Sequence, residues 1–335
     1  MIMQTDDMAT HGTDPATPRL SFGIKTTPMH TSYQAILRTW QQADEVAEIE
    51  HAWLWDHMLP LSGPKDGPCY EGWTLLTALA AQTRRLRLGL LVTNNQIRQP
   101  AVLGKIASTL DVISGGRLVL GLGAGGTMPA GTQPTPDEQP GLAEYLAYGL
   151  RVTTPAEGLA RLAETITIVR RMFTEDVFDF DGRYYSLKAT RNAPKPLQPG
   201  GPPVLVGGTG TRMLRLVAEH ADVWNIPGPP HGSIEFIAER NRVLDQHCAA
   251  IGRNPRDLLR SVQLILQGDD PAAARQTVAA VIAAGFNHIV LAVRPPSPDN
   301  VARWLASEVI TPVREGVPVR SQAASPLLTR QDLGG

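Results

Sequence analysis

Short apolar runs alternate along the chain with longer stretches in which apolar residues recur at helical spacing. This alternation is typical of strand–helix units repeated around a parallel sheet. Eight units follow one another, which favours a closed (β/α)8 TIM barrel over an open doubly wound sheet. The predicted strands are Leu20–Ile24, Ala52–Trp55, Leu86–Val92, Arg117–Gly121, Pro203–Val206, Asp222–Trp224, Ser261–Leu266 and His288–Val293. The predicted helices are Ser32–Glu50, Glu71–Thr83, Ala101–Ile113, Pro155–Phe173, Gly210–Glu219, Ser233–Ile251, Pro271–Ala284 and Asp299–Ile310.

Two insertions interrupt this alternation. Thr127–Thr154, rich in Pro and Gly, follows strand four, and Val177–Pro202 precedes strand five with a predicted strand pair, Phe178–Phe180 and Tyr184–Leu187. Because long loops at the carboxyl end of a barrel shape its mouth, we expect both insertions to be lids or pocket walls rather than decoration. The pattern predicts one barrel domain over residues 20–316, with flexible tails at 1–19 and 317–335.

Composition narrows the choice of ligands. The 335 residues include 31 basic and 32 acidic side chains, a formal net charge of -1, so we expect neither nucleic acid nor a membrane as partner, but a small molecule. With no apolar run of membrane-spanning length and no secretion signal, we expect a cytoplasmic protein. Cys69 and Cys248 match no paired spacing, and the histidines show no ligand spacing, so we expect no metal site.

The barrel prediction directs attention to residues that follow strand ends, since loops converge there on one mouth. Strand two ends in Trp55-Asp56-His57, which gives a pocket aromatic, a carboxylate and an imidazole able to donate or accept a proton near neutral pH. An Asp-His pair elsewhere would more often be a helix cap or a surface pair. Strand three runs into a polar segment that includes Asn94, either an ordinary loop or a hydrogen-bonding edge for a heterocycle. For Arg98 we favour pairing with an acidic neighbour.

Glycines follow strands four and five. Gly121, Gly123 and Gly126 spell G-x-G-x-x-G, but a Pro/Gly-rich loop follows where a dinucleotide-binding fold requires a helix. We therefore interpret these glycines, with Gly125, as space for a flat ligand.

The second cluster, Gly207-Gly208-Thr209-Gly210, opens an amphipathic helix, where exposed backbone N–H groups bind phosphate. The alternative is a turn that needs glycine only for its geometry. Trp224 and Asn225 after strand six are interpreted as pocket wall, although Trp224 fits a core position equally well.

Several segments in one order resemble the luciferase-like monooxygenase superfamily, and within it the actinobacterial coenzyme F420-dependent oxidoreductases. They lie between about residues 20 and 226. The segments are Glu50–His57, Glu71–Leu76, Asp111–Leu118, Phe180–Tyr185, Gly207-Gly208 and Ala221–Asn225.

This resemblance implies a barrel that holds a deazaflavin or flavin at its mouth and transfers a hydride at the central ring. It implies that Asp56 and His57 contact the ring, with His57 as acid/base, and that a non-proline cis peptide at Leu91–Val92 supports the ring. It also implies that Gly207, Gly208 and Gly210 bind the cofactor phosphate. Relatives usually form homodimers, so we expect one here.

Two features of the sequence, one at Gly126 and one in the strand-three loop, depart from the family. Where this chain has Gly126, relatives that oxidise sugar phosphates have a glutamate and close relatives usually have a tryptophan, which argues against sugar-phosphate oxidation. Asn94 and Ile97 replace a glycine and an aromatic residue in the strand-three loop. The leading hypothesis is an F420-dependent oxidoreductase acting on an unidentified small organic substrate. The alternatives are an FMN-dependent monooxygenase and a flavin-binding barrel without turnover.

Overall fold

The computed structural model describes residues 19–131, 140–294 and 298–316. The predicted tails, apart from Arg19, lie outside the described residues. Within the described ranges, no helix is both long enough and apolar enough to cross a membrane.

Parallel strands form the centre of the molecule. The strands of the main sheet are β1 (Ser21–Lys25), β2 (His51–Leu54), β3 (Arg87–Leu90), β4 (Thr93–Asn94), β5 (Leu120–Gly123), β8 (Val204–Gly207), β9 (Val223–Pro227), β10 (Leu259–Gln267) and β11 (His288–Arg294); β6 and β7 form a separate pair. In the described part of the chain, the main sheet has the order β3-β2-β1-β11-β10-β9-β8-β5-β4, and every neighbouring pair in it is parallel.

The sheet closes on itself through the third strand of the sequence prediction. β3 pairs with β2 on one side, while Leu88 on its other side forms a parallel bridge with Leu118, just before β5. After an interruption at Leu91–Val92 the same strand continues as β4, which pairs with β5. Counting β3 and β4 as two halves of one strand, the nine strands form the predicted eight-stranded barrel. Strand four begins and ends slightly later than predicted.

Helices surround the barrel and mostly begin at side-chain caps. Thr154 caps Pro155–Thr174, and Gln99 caps Pro100–Ser114, which ends at Gly115 in the left-handed conformation. The helices are α1 (Tyr33–Asp44), α2 (Gly72–Ala81), α3 (Pro100–Ser114), α4 (Pro140–Ala147), α5 (Pro155–Thr174), α6 (Thr211–His220), α7 (Ile234–Ala250), α8 (Pro271–Ala283), α9 (Val301–Trp304) and α10 (Thr311–Gly316), with a 3-10 turn at Pro255–Asp257 and a π-helical turn at Leu305–Ile310 between α9 and α10.

Apolar side chains fill two layers. The larger layer lies between the sheet and the helices and includes Trp40, Leu76 and Trp224, which are fully buried. The smaller layer fills the barrel interior. Its members are Trp53, Leu91, Val119, Leu205, Val223, Leu259 and Val290. The barrel interior is therefore a packed core below the mouth and not an open channel.

The two insertions lie at opposite ends of the barrel. The first contains α4 and follows β5, so it lies at the carboxyl ends of the strands, as predicted. The second contains the antiparallel pair β6 (Phe178–Asp181) and β7 (Ser186–Thr190) and precedes β8. There Gln198 accepts a bond from Arg87 and donates to the Leu118 carbonyl, both at strand beginnings. The mouth-wall prediction was therefore wrong for the second insertion, because a helix-to-strand connection returns the chain to the barrel's amino end.

Candidate active site

Three of the predicted site residues lie at the mouth, directly after strand β2. Trp55, Asp56 and His57 follow its last residue, Leu54. The Trp55 side chain is largely buried, and its ring lies edge-on to the His57 ring with 5.2 Å between centroids. Trp55 therefore forms one wall beside the imidazole.

Asp56 is almost completely buried and holds the neighbouring loop in place. Its carboxylate accepts two bonds from Arg98, at 2.6 and 3.0 Å, and one at 2.9 Å from the backbone N–H of Asn94. Burial raises the pKa of Asp56, while the Arg98 guanidinium acts in the opposite direction. Arg98 also pairs with Glu71, which caps α2, so the structural role predicted for Arg98 is confirmed. These bonds hold the Asp56 carboxylate and the loop at Asn94 and Arg98 in one fixed arrangement.

The His57 imidazole is held by a carboxylate from the first insertion. Its Nδ1 lies 3.0 Å from Glu144 Oε1 on α4, and the second Glu144 oxygen accepts the Met58 N–H at 2.6 Å. Glu144 is 1% exposed, whereas 29% of the His57 side chain is exposed. In this arrangement the carboxylate orients the ring through Nδ1 and leaves Nε2 as the nitrogen available for proton transfer.

Tyr145, the next residue on α4, ties the helix to two strand ends. Its hydroxyl donates to Asn94 Oδ1 at 2.8 Å and accepts the Gly126 N–H at 2.5 Å. The ring is fully buried, and burial raises the pKa of its phenol. Thus α4 contacts His57, Asn94 and Gly126 at once, which places this part of the first insertion beside the strand ends of the mouth; its role as a pocket wall stays a prediction.

A cis peptide bond between Leu91 and Val92 interrupts the third strand, as the resemblance implied. Leu91 packs into the barrel interior. A Cβ added to Gly123 would lie 2.6 Å from Val92 Cγ2, and one added to Gly207 would lie 3.0 Å from Val92 Cγ1. Val92 is therefore wedged between β5 and β8 at the mouth.

The second predicted glycine cluster does open a helix. Gly210 is the N-cap of α6, no side chain caps it, and a Cβ added there would meet nothing within 4 Å. The start of α6 thus has no capping side chain and has space beside Gly210, which suits an anionic group. Trp224 Nε1 donates to the Gly208 carbonyl at 2.8 Å and holds the turn that also contains Thr209.

Three interpretations require correction. A Cβ added to Gly126 would lie 2.7 Å from Tyr145 Cε2, and one at Gly121 would overlap the Leu90 carbonyl, so the chain itself fills the space predicted for a ligand. Gly125 adopts φ +82° beside the Asn94 amide, which explains its glycine by backbone geometry. Trp224 is fully buried between sheet and helices, so it is a core residue and not pocket wall.

Asn225 faces the barrel interior, where its amide donates to Ser261 Oγ at 2.8 Å. It is 3% exposed, so it lies below the mouth rather than on its wall.

Sequence reasoning missed Glu144 and Tyr145. Both lie in the Pro/Gly-rich insertion Thr127–Thr154, for which the sequence pattern predicts no helix. The available signal was the short apolar segment Gly141-Leu142-Ala143 beside them, whose helical spacing was too brief to stand out.

Comparisons with known proteins agree with this architecture. A Mycobacterium bovis protein of uncharacterised function is 36% identical over 180 residues, 53% of this chain and 56% of that protein. The 5,10-methylenetetrahydromethanopterin reductase of Archaeoglobus fulgidus is 26% identical over 319 residues, 94% of this chain and 81% of that protein. The chain thus spans little more than half of the first relative and most of the second.

A solved structure shows the same fold. The coenzyme F420-dependent tetrahydromethanopterin reductase of Methanopyrus kandleri has a TM-score of 0.70 and 16% identity, covering 88% of this chain and 99% of that chain. The family model for luciferase-like monooxygenases matches residues 10–314, most of the sequence. The family assignment suggested by the sequence motifs is confirmed: the protein belongs to the luciferase-like monooxygenase family.

Proposed function

We propose that the protein is an F420-dependent oxidoreductase whose acid/base residue is His57. The observation that carries the proposal is the imidazole itself, which a buried carboxylate orients at the mouth of the barrel. The relative from Archaeoglobus is by name a reductase, and the Methanopyrus structure is by title F420-dependent. When bound, the deazaflavin would supply the carbon that accepts or donates hydride.

The residues at the mouth fit such a cofactor. The uncapped start of α6 at Gly210 offers free N–H groups and open space for a phosphate. Val92, at the cis peptide, offers an apolar surface for a flat ring, and Asp56 and Arg98 hold the loop that follows it. His57 would donate or remove the proton that accompanies hydride transfer to or from the substrate. Trp55 would limit the space beside it.

The second candidate is an FMN-dependent monooxygenase, which the description of the matching family favours. Both cofactors carry a phosphate and a tricyclic ring, so the same mouth suits either. A non-catalytic flavin-binding barrel is the third alternative. The bond from His57 to the buried Glu144 argues against it, because a protein that only binds a flavin has no need to orient an imidazole.

Binding titrations separate these candidates. We expect F420 to bind anaerobically with a micromolar Kd and FMN at least about tenfold more weakly, measured by fluorescence. Gly210→Glu should weaken binding about tenfold or more, because it places a carboxylate at the phosphate position. Ala272→Glu, an exposed change in the first turn of α8, whose cap is already closed by Asp270, serves as control. Micromolar binding of FMN without binding of F420 would refute the leading proposal.

A further inference from the structure

Lys25 is the last residue of β1, at the end of the barrel that carries the mouth. It lies on the same strand face as Gly23, where an added Cβ would overlap the His51 ring inside the barrel. The sheet register pairs Lys25 with Trp53, which is also an interior residue. The Lys25 side chain therefore enters the barrel interior from its mouth end, and it is only partly exposed.

The partner of Lys25 is neutral. Its ammonium donates to Gln263 Oε1 on β10 at 2.6 Å. Gln263 lies two residues after Ser261, whose hydroxyl contacts Asn225 and His288 inside the barrel, so Gln263 faces the same interior. Among the described residues no carboxylate forms an ion pair with Lys25. The buried carboxylates near the mouth, Asp56 and Glu144, are held by other groups.

A buried ammonium without a counter-charge is costly to a fold. Burial lowers the pKa of Lys25 to about 8, as expected for an ammonium whose partner, Gln263, is neutral. A methionine would fill the same space without that cost. A cation in this position is therefore expected to act on a ligand, since an anionic ligand supplies the missing charge.

We propose that Lys25 and Gln263 form an anion subsite on the floor of the mouth, which takes one negatively charged group of a bound planar or carboxylate-bearing molecule. The subsite rests on the proposed function in that the mouth is the ligand site. Two sources share this chemistry. One is the reduced cofactor ring, because hydride addition to a neutral ring leaves a negative charge unless a proton follows. The other is a carboxylate of an organic substrate.

Lys25→Met tests the subsite, with Lys188→Met on the exposed pair β6–β7 as matched control and Lys25→Arg as the variant that keeps the charge. Three dissociation constants are measured anaerobically by fluorescence, for the oxidised cofactor, the reduced cofactor and benzoate. The cofactor in these measurements is F420 or FMN, whichever of the two binds the parent protein. Benzoate is also titrated into the protein without cofactor, so this measurement stands even if neither cofactor binds and the proposed function fails.

Each outcome is informative. A loss of about tenfold or more for the reduced but not the oxidised cofactor assigns the subsite to the ring. An equal loss for benzoate, with both cofactor forms unaffected, assigns it to a substrate carboxylate. In either case Lys25→Arg should stay within about threefold of the parent. Two results would refute the subsite. In the first, Lys25→Met binds every ligand with a Kd within about threefold of the parent value. In the second, the parent binds benzoate and neutral benzamide equally well, and the substitution changes the Kd of neither cofactor form.

Discussion

His57 and Glu144 are 87 residues apart in sequence, yet they form the contact on which the proposed chemistry depends. Glu144 makes two contacts, since one carboxylate oxygen lies beside the imidazole and the other accepts the Met58 N–H. An acceptor at Nδ1 fixes both the ring orientation and the tautomer. At the scale of single residues, the proposed acid/base function therefore depends on the Glu144–His57 pair and not on the histidine alone.

This coupling has a measurable signature. We expect His57→Ala to lower kcat about 10²-fold or more, because the proton carrier is lost. Glu144→Gln should lower kcat about tenfold with little change in KM, because the glutamine still accepts the Met58 N–H but no longer holds the ring as a charged partner. In the His57→Ala background, Glu144→Gln should have almost no further effect. Steady-state kinetics on the four proteins check this.

Tyr148→Phe provides the control for these variants. Tyr148 follows α4, and its exposed hydroxyl donates to the Met58 carbonyl at 3.4 Å. Its removal should leave kcat within about twofold. Additive losses from His57→Ala and Glu144→Gln would contradict the pair.

Among the elements, α4 has a greater influence on the site than its eight residues suggest. Its buried residues Leu142 and Tyr145 form a small cluster with Met128, separate from the barrel core. A small cluster of this kind stabilises its element only weakly, so the polar bonds of Tyr145 carry much of the attachment. The helix is held to the barrel where it is also needed for function.

Tyr145→Phe should therefore loosen α4 without unfolding the barrel. The change removes the bond to Asn94 and leaves the Gly126 N–H without its acceptor, at a cost of about 1–3 kcal/mol. We expect faster amide hydrogen exchange over α4 and unchanged exchange over β10, followed by mass spectrometry. Equal acceleration in both elements would show that α4 is not a separately stabilised unit.

The parts of this structure that were predictable are those in which one segment carries its own signal. The interior strands appear as apolar runs, and His57 was found because it directly follows such a run. Glu144 reaches the site through a tertiary contact that no local pattern encodes, and Lys25 meets Gln263 across 238 positions. The second insertion was predicted at the mouth but lies at the amino end of the barrel. Its position directly before a strand already implied the amino end.

At the scale of the whole molecule, two buried histidines, His51 on β2 and His288 on β11, lie in contact inside the barrel. The rings of His51 and His288 stack with 3.8 Å between centroids, and His51 Nδ1 accepts a bond from Trp53 Nε1 at 2.6 Å. Burial lowers the pKa of His288 to about 3 and that of His51 well below its usual range. The folded barrel therefore keeps both rings neutral.

Global stability should consequently fall as the pH drops below about 6.5. Between that value and about 3, the unfolded chain binds a proton at His288 that the folded barrel does not, so each pH unit costs about 1.4 kcal/mol at this site. His288→Asn, which can still bond to Ser261, should reduce the slope of unfolding free energy between pH 6 and 4.5 by about 1 kcal/mol per unit. Exposed His231→Asn should leave the slope unchanged, as measured by urea unfolding at each pH. Carboxylates titrate in the same pH range in the parent and in both variants, so only the difference in slope between the parent and His288→Asn tests the interior histidine. Equal slopes in these two proteins would mean that His288 can be protonated in the folded barrel.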